Sequence, residues 1–402
     1  SDNQSIARLV ILGDTFFHAF HERFNRKTTK KAYFCTYRLQ PNIIYSHLVM
    51  KVIVDNKIPY ISPAIEQLAN EVVYVEGNLF TPELVRNADA LIIRTRTHCN
   101  RELLEGSNVK FIATATIGFD HIDTAYCKEK GITWTNAPGC NSSSVAQYIE
   151  SALLLLEKEK GLELSKMTLG IVGVGNVGSK VETVARKLGL KVLLNDLPRQ
   201  EKEGETAFSC LQQLAEECDV ITFHTPLYNE GAYKTYHLAG ADFFQSLKKS
   251  PIIINTSRGE VVDTNALLHA MNQGIVSEAI IDVWENEPHI NLELMNRAFI
   301  ATPHIAGYSA DGKANATRMS LDALCKFFNL KGTYQINPPA PENNIMVANT
   351  YSEAILKIYN PQRDSMTLKA NPEDFEKQRG HYPFRREPDA YRIETTSSII
   401  RG

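Results

Sequence analysis

Beyond residue 50, short apolar runs alternate with stretches of helical spacing. KVIVDN (51–56), EVVYVE (71–76), ALIIRT (90–95), KFIATA (110–115) and ITWTNA (132–137) predict strands. Helices are predicted near 61–69 and in DTAYCKEKG, which ends at Gly131. Val and Ile occur in continuous runs rather than strict alternation, the pattern of strands buried on both faces of a parallel sheet. SSSVAQYIESALLLLEKEK (142–160) predicts a long helix that crosses from one domain to the next. Its N-cap is expected from serines 142–144, with Lys158 and Lys160 in the last turn and Gly161 as the stop. A second series follows, with strands at 168–172, 191–195, 219–223, 251–255, 278–283 and 298–302. Helices are predicted near 176–188, 209–217, 240–248 and 263–273. Two βα series predict two α/β domains with a cleft between them.

After residue 330 the pattern breaks. NPPAPENN is a turn-rich linker. The chain beyond it, with the charged run FEKQRGHYPFRREPD, predicts a small third unit with at least one helix and a polar end, TTSSIIRG.

One segment combines pattern with chemistry. In MTLGIVGVGNVGSK, Gly173, Gly175 and Gly178 form GxGxxG between a predicted strand and a predicted helix. Such a loop admits a tight turn, a close backbone approach to pyrophosphate and close helix–strand packing, with phosphate charge met at the helix start. Asp196 closes the next strand, where a carboxylate accepts the ribose hydroxyls and repels an added 2′-phosphate. NAD is therefore the expected cofactor, although Arg199, three residues on, weighs toward NADP.

Three further residues follow predicted strands: Arg258 after IIINTS, Glu287 after AIIDVW and His304 after FIATP. In a parallel sheet such ends face one crevice. An imidazole there can take and return a hydroxyl proton, a carboxylate can orient it, and a guanidinium can hold a substrate carboxylate. His224 in FHTPL competes for the acid–base role. His304 is preferred because AGY follows it.

Composition narrows the function classes. The 402 residues carry a net charge of −3, 43% hydrophobic and 22% charged residues. There is no global excess of charge for nucleic acid or anionic membrane, and no apolar run near the ~20 residues that span a bilayer. Seven widely spaced cysteines without CxxC fit reduced cytosolic thiols, and the expected location is cytoplasmic. Cys140 reads as a packed thiol. His18 and His21 form HxxH without a third ligand in view, so no metal is expected. Residues 1–49 hold seven Lys/Arg against three Asp/Glu.

The motifs GIVGVGNVGSK, FHTPL, INTSRGEVVD, DVWENEP and PHIAGY, in that order, resemble the D-isomer-specific 2-hydroxyacid dehydrogenase family. The resemblance implies an α/β fold of two Rossmann-like, doubly wound parallel-sheet domains. The substrate domain (50–149 and 304–330) is split around an inserted NAD domain (150–303). It assigns Arg258 to substrate orientation, Glu287 to the histidine and His304 to acid–base catalysis. Within the family, KVIVDNKIPY, TATIGFDHID, APGCNSSSVAQY and HIAGYSADGKA resemble a branch acting on a phosphorylated 2-hydroxy acid. DFEKQRGHYPFRRE resembles that branch's small C-terminal α+β dimerisation domain (331–402), which implies a homodimer. Thr95, Thr116 and Tyr308 match its substrate positions. Asn176, Val177, Asp196, Thr225, Thr256, Ser257, Asp282 and Gly307 match its NAD positions.

A phosphorylated substrate calls for cations. Arg94 and Arg96 flank Thr95 at a strand end and, two apart, are expected to share a face, while Lys313 follows HIAGY. The alternatives are a phosphoglycerate dehydrogenase, a glycerate or hydroxypyruvate reductase, or a non-catalytic, corepressor-like NAD sensor. Residues 1–49 have no counterpart in the resemblance, and Met50 is the expected natural start.

Overall fold

The structure, a computed structural model, describes residues 50–204 and 207–396. Residues 1–49, the His18–His21 pair and the end of the polar tail lie outside the described residues.

The apolar runs form two parallel sheets. The first contains β1 (Lys51–Asp55), β2 (Glu71–Val75), β3 (Ala90–Ile93), β4 (Phe111–Thr114) and β5 (Thr133–Thr135), ordered β2-β1-β3-β4-β5. The second contains β6 (Thr168–Val172), β7 (Lys191–Asn195), β8 (Val220–Phe223), β9 (Ile252–Asn255), β10 (Glu278–Ile281) and β11 (Ile300–Ala301), ordered β11-β10-β9-β8-β6-β7. Every residue of β3, β4, β6, β8 and β9 is buried, whereas the edge strand β2 is not. Continuous Val/Ile runs thus mark central strands covered on both faces.

The helix Ser142–Lys160 spans the predicted residues, and all but its last turns are buried. Such all-round apolarity is that of a core helix. Its start corrects the serine expectation. Asn141 is the N-cap and makes no side-chain cap bond, while Ser142 Oγ donates to the Gly139 carbonyl. Ser144 is drawn elsewhere, as described below. The short helices Leu197–Glu203 and Leu292–Arg297 were not anticipated, because each is under two turns and carries little periodicity.

After β11 the helix Ala310–Phe328 returns to the first sheet. Its Leu321 and Leu324 pack with Val52, Ile92 and Phe111. The chain therefore crosses between sheets twice, and the crossings touch: Ser144 Oγ lies 2.5 Å from Ser309 Oγ.

The segment beyond residue 344 is richer than one helix. It holds β12 (Ile345–Ala348) and β13 (Arg392–Thr395), paired in parallel, around the helices Tyr351–Ile358, Pro361–Ala370 and Phe375–Gly380. Among the described residues it has no separate core. Leu368 and Phe375 join one apolar cluster of the second sheet, and Ile355 and Tyr359 join the other. Ser365 Oγ accepts from the Ala301 N–H at 2.9 Å, so this segment covers the β11 edge.

Candidate active site

The glycine loop follows β6 where the strand order reverses between β6 and β8. Gly173 has φ +88°, and a Cβ there would lie 2.7 Å from the His224 carbonyl oxygen. A Cβ on Gly178 would lie 2.0 Å from the Gly173 carbonyl oxygen, so the helix Asn176–Lys187 packs against its own loop. A Cβ on Gly175 would meet nothing within 4 Å. That open space lies at the start of a helix whose first N–H groups have no side-chain cap. Beside it is a cavity of about 450 Å³ lined by Gly173, Asp196, Pro198, Leu211, Thr225 and Pro226. Thr225 Oγ1 is buried without a partner among the described residues. An orphaned hydroxyl, an open space at the helix start and an acid at the cavity wall fit a dinucleotide.

Asp196 also holds the loop, accepting from the Val174 N–H (2.8 Å) and the Arg199 N–H (3.0 Å). Arg199 is committed. Its Nε and Nη2 reach the Glu203 carboxylate, both at 2.8 Å, and Nη1 donates to the Val174 carbonyl. A guanidinium so occupied is not free to take a 2′-phosphate, which favours NAD over NADP.

The three catalytic candidates stand on adjacent strands. Arg258 follows β9, Glu287 follows β10 and His304 follows β11. A Cβ on Gly259 would sit 2.0 Å from the Trp284 carbonyl carbon, so the loops after β9 and β10 abut. Arg258 is exposed, its Nη1 donating to the Ser257 carbonyl. Glu287 Oε1 accepts from the Trp284 N–H (2.9 Å), and Oε2 lies 2.9 Å from His304 Nδ1. Burial pushes the Glu287 carboxyl up, but the His304 hydrogen bond and charge, the Trp284 N–H and Arg379 together hold it below the usual range. A carboxylate only accepts, so Nδ1 carries the proton and Nε2 is left for a substrate hydroxyl.

His224 is differently placed. Nε2 lies 3.0 Å from Thr222 Oγ1 and Nδ1 lies 3.3 Å from Thr256 Oγ1. The residue is half-buried, and desolvation pushes its pKa down to about 3. Ser257 is buried, its N–H and hydroxyl on Asn255 Oδ1. Asp282 is buried with both oxygens engaged, accepting from Thr302 Oγ1 (2.7 Å), Ile305 N–H (2.8 Å) and Ala306 N–H (3.0 Å). In this structure it holds the His304 loop. Val177 packs on the apolar cluster that contains Ile171, and a Cβ on Gly307 would lie 2.1 Å from Asn141 Nδ2.

The first sheet supplies the remaining candidates. β3 ends at Ile93 and residues 94–96 form a turn, so strand alternation does not apply to them. Arg94 Nη1 reaches the Lys57 carbonyl (3.4 Å), and its charge acts on Lys313. Arg96 instead lines a separate cavity with Gly77, His98 and Asn100. The expectation that Arg94 and Arg96 share a face is therefore wrong. Thr95 is exposed, and Thr116 Oγ1 donates to the Gly118 carbonyl. Lys313 Nζ lies 5.8 Å from the Tyr308 ring centroid. Burial and the charges of Arg94 and Arg385 push its pKa down. Cys140 is buried, with a thiol pushed up to about 11 by burial, which is the packed thiol expected.

Sequence reasoning missed Arg379 and Arg385. Both lie in the charged run of the third unit, whose pattern shows charge but not direction. Tyr308 packs edge-on against Tyr382 of the same run, with centroids 5.8 Å apart.

Residues 147–306 match the family described as D-isomer specific 2-hydroxyacid dehydrogenase, NAD binding domain. A curated relative from Bacteroides fragilis, an erythronate-4-phosphate dehydrogenase, is 67% identical over 347 residues, covering 86% of this chain and 100% of its own. The chain belongs to the D-isomer-specific 2-hydroxyacid dehydrogenase family. This dehydrogenase is also 42% identical over 365 residues to an erythronate-4-phosphate dehydrogenase of Porphyromonas gingivalis, covering 88% of this chain and 99% of that one. Among solved structures it resembles NAD⁺-bound 3-phosphoglycerate dehydrogenase from Entamoeba histolytica (29% identity, TM-score 0.57, 70% of this chain and 95% of that one). It also resembles D-lactate dehydrogenase from Aquifex aeolicus in complex with NAD and lactic acid (27%, TM-score 0.54, 69% and 95%). The dehydrogenase is an NAD-dependent oxidoreductase. Residues 334–401 match a domain of unknown function.

Proposed function

We propose that this dehydrogenase oxidises 4-phospho-D-erythronate at C2 to 2-oxo-3-hydroxy-4-phosphobutanoate, a step of pyridoxal 5′-phosphate biosynthesis. The observation that carries the reading is the 2.9 Å Glu287–His304 pair on a loop whose Tyr308 lies near Lys313, itself within the field of Arg94. The erythronate-4-phosphate dehydrogenases that match most of the chain support the substrate.

In this mechanism Arg258 pairs with the C1 carboxylate and orients C2. His304 Nε2 takes the C2 hydroxyl proton, and Glu287 stabilises the imidazolium through Nδ1–H. Bound NAD supplies the hydride acceptor. Arg94 and Lys313 hold the 4-phosphate, whose charge relieves their mutual repulsion. Thr95, Thr116 and Tyr308 complete the substrate pocket. Gly173, Gly175, Asn176 and Gly178 receive the pyrophosphate, Asp196 the ribose, and Val177, Thr225, Thr256, Ser257, Asp282 and Gly307 line the remaining cofactor path.

The same reading makes the protein a cytoplasmic homodimer joined through its C-terminal unit. Exposed Val347, Met366 and Phe384, the last two 66% and 57% accessible, support a contact surface there.

Turnover with D-erythronate 4-phosphate and with unphosphorylated D-erythronate tests the reading, with the product identified by mass. The phosphorylated substrate is expected to show kcat/KM about 100-fold higher, ~2.7 kcal/mol. Equal values would exclude the phosphate role. Sedimentation at monomer mass would exclude the dimer.

A further inference from the structure

His304 has φ +57°, the left-handed region, which a residue with a Cβ rarely adopts. Such a conformation persists where its surroundings over-determine it. The three peptide groups that follow are held by two side chains, and the Ile305–Ala306 peptide is held by both, at its N–H and at its carbonyl. The Asp282 carboxylate takes the N–H groups of Ile305 and Ala306, at 2.8 and 3.0 Å. From the opposite side, Arg385 Nη2 donates to the Ala306 carbonyl at 2.6 Å, and Nη1 lies 3.4 Å from the Ile305 carbonyl. Arg385 comes from the C-terminal unit, about eighty positions away in sequence.

The setting of Arg385 is unusual for a charge. It is 6% exposed and stacks over the Tyr359 ring at 4.3 Å. Its Nε is buried without a partner, and no carboxylate pairs with it directly among the described residues. A buried cation held by carbonyls and rings is a poor device for stability, which an apolar side chain of similar size serves as well or better. Its neighbours lock the same loop. Glu387 Oε1 accepts from Ser144 Oγ and Ser309 Oγ, each at 2.8 Å, and the Ala310 N–H donates to the Arg385 carbonyl at 2.8 Å. Arg386 grips the Asp311 carboxylate with Nε and Nη2, at 2.9 and 3.0 Å.

We propose that Arg385 is a positioning residue for His304, so that the C-terminal unit sets the geometry of the acid–base group by clamping the peptide groups that follow it. The inference rests on His304 being the acid–base residue. It assigns to the segment of unknown function a task at the reacting centre.

The test is Arg385→Met in the full chain, with active sites counted by NADH fluorescence titration. The expected result is a kcat per active site 10- to 100-fold lower, with the NADH Kd and the substrate KM within threefold of the parent. The melting temperature should not fall in proportion. Arg385→Lys, which can serve one carbonyl but not both, should fall between the two. A merely structural role would lower the active fraction and the melting temperature while kcat per site stays within twofold, and that result overturns the proposal. If Arg385→Met does not fold, Arg385→Lys decides: a threefold or greater loss of kcat at unchanged NADH affinity supports the proposal, and an unchanged kcat overturns it. His304→Asn is the companion variant. Near-normal turnover there would remove the reading on which the inference rests, whereas its inactivity beside a normal Arg385→Met removes the inference alone.

Discussion

In the first sheet the strand order turns round between β1 and β3, and in the second between β6 and β8. Open parallel sheets bind ligands at such points, and both of these are furnished, in different ways. After β6 the chain makes a glycine loop that abuts backbone at two positions and leads into a capless helix of 12 residues. After β1 it runs through Asn56 and Lys57 with no glycine loop, and after β3 it turns through Arg94, Thr95 and Arg96. One crevice offers backbone N–H groups at a helix start beside bare glycines. The other offers long cationic side chains. Topology decides where a ligand sits. The few residues after each strand decide whether its charge is met by main chain or by side chain.

Three experiments would break or sharpen this comparison. The largest effect is expected at the main-chain site. Gly178→Ala puts a methyl 2.0 Å from a backbone oxygen that cannot swing aside. The NADH Kd should rise about 100-fold or more, ~2.7 kcal/mol. Unaltered affinity in a fluorescence titration would show that the loop does not need that close approach.

At the side-chain site the effect should be smaller and asymmetric. Arg94→Ala is expected to lower kcat/KM for the phosphorylated substrate at least tenfold, ~1.4 kcal/mol or more. Arg96→Ala, on the separate cavity, should stay within about twofold. Equal losses at both positions would restore the shared-face reading that the turn at 94–96 contradicts.

The smallest effect concerns His224, whose carbonyl floors the glycine loop. Its imidazole is shifted from the usual 6.5 to about 3. A base with a depressed folded pKa stays neutral in the folded chain while the unfolded chain takes up a proton below about 6.5. Stability is therefore lost as pH falls from about 6.5 toward about 3. Between pH 8 and pH 5 the parent should lose about 2–4 °C more in melting temperature than His224→Gln. Parallel losses would mean that this histidine is not held neutral.

Much of the molecule was legible in advance for a physical reason. A central parallel strand needs a contiguous apolar run, so β3, β4, β6, β8 and β9 are written locally. A glycine loop between strand and helix is local too. Arg258, Glu287 and His304, up to 46 positions apart, follow three adjacent strands as expected, because strand ends of one sheet converge by rule. The failures share an opposite cause. Arg94 and Arg96 were assigned one face by strand alternation, but the strand stops at Ile93. A serine was expected to cap the helix Ser142–Lys160, yet Ser144 is engaged by Glu387 from 243 positions away.

The sequence by itself determined the strands, the cofactor loop and the residues at the strand ends, since each is recorded in neighbouring positions or follows from the handedness and direction of a parallel sheet. Only the tertiary structure decided which arginine's charge acts on Lys313, and what the charged run near the C-terminus reaches. A pattern of charge along a chain shows that side chains are polar. It carries no record of the carbonyls of Ile305 and Ala306, which meet Arg385 only because the helices Tyr351–Ile358, Pro361–Ala370 and Phe375–Gly380 bury their apolar residues against the second sheet.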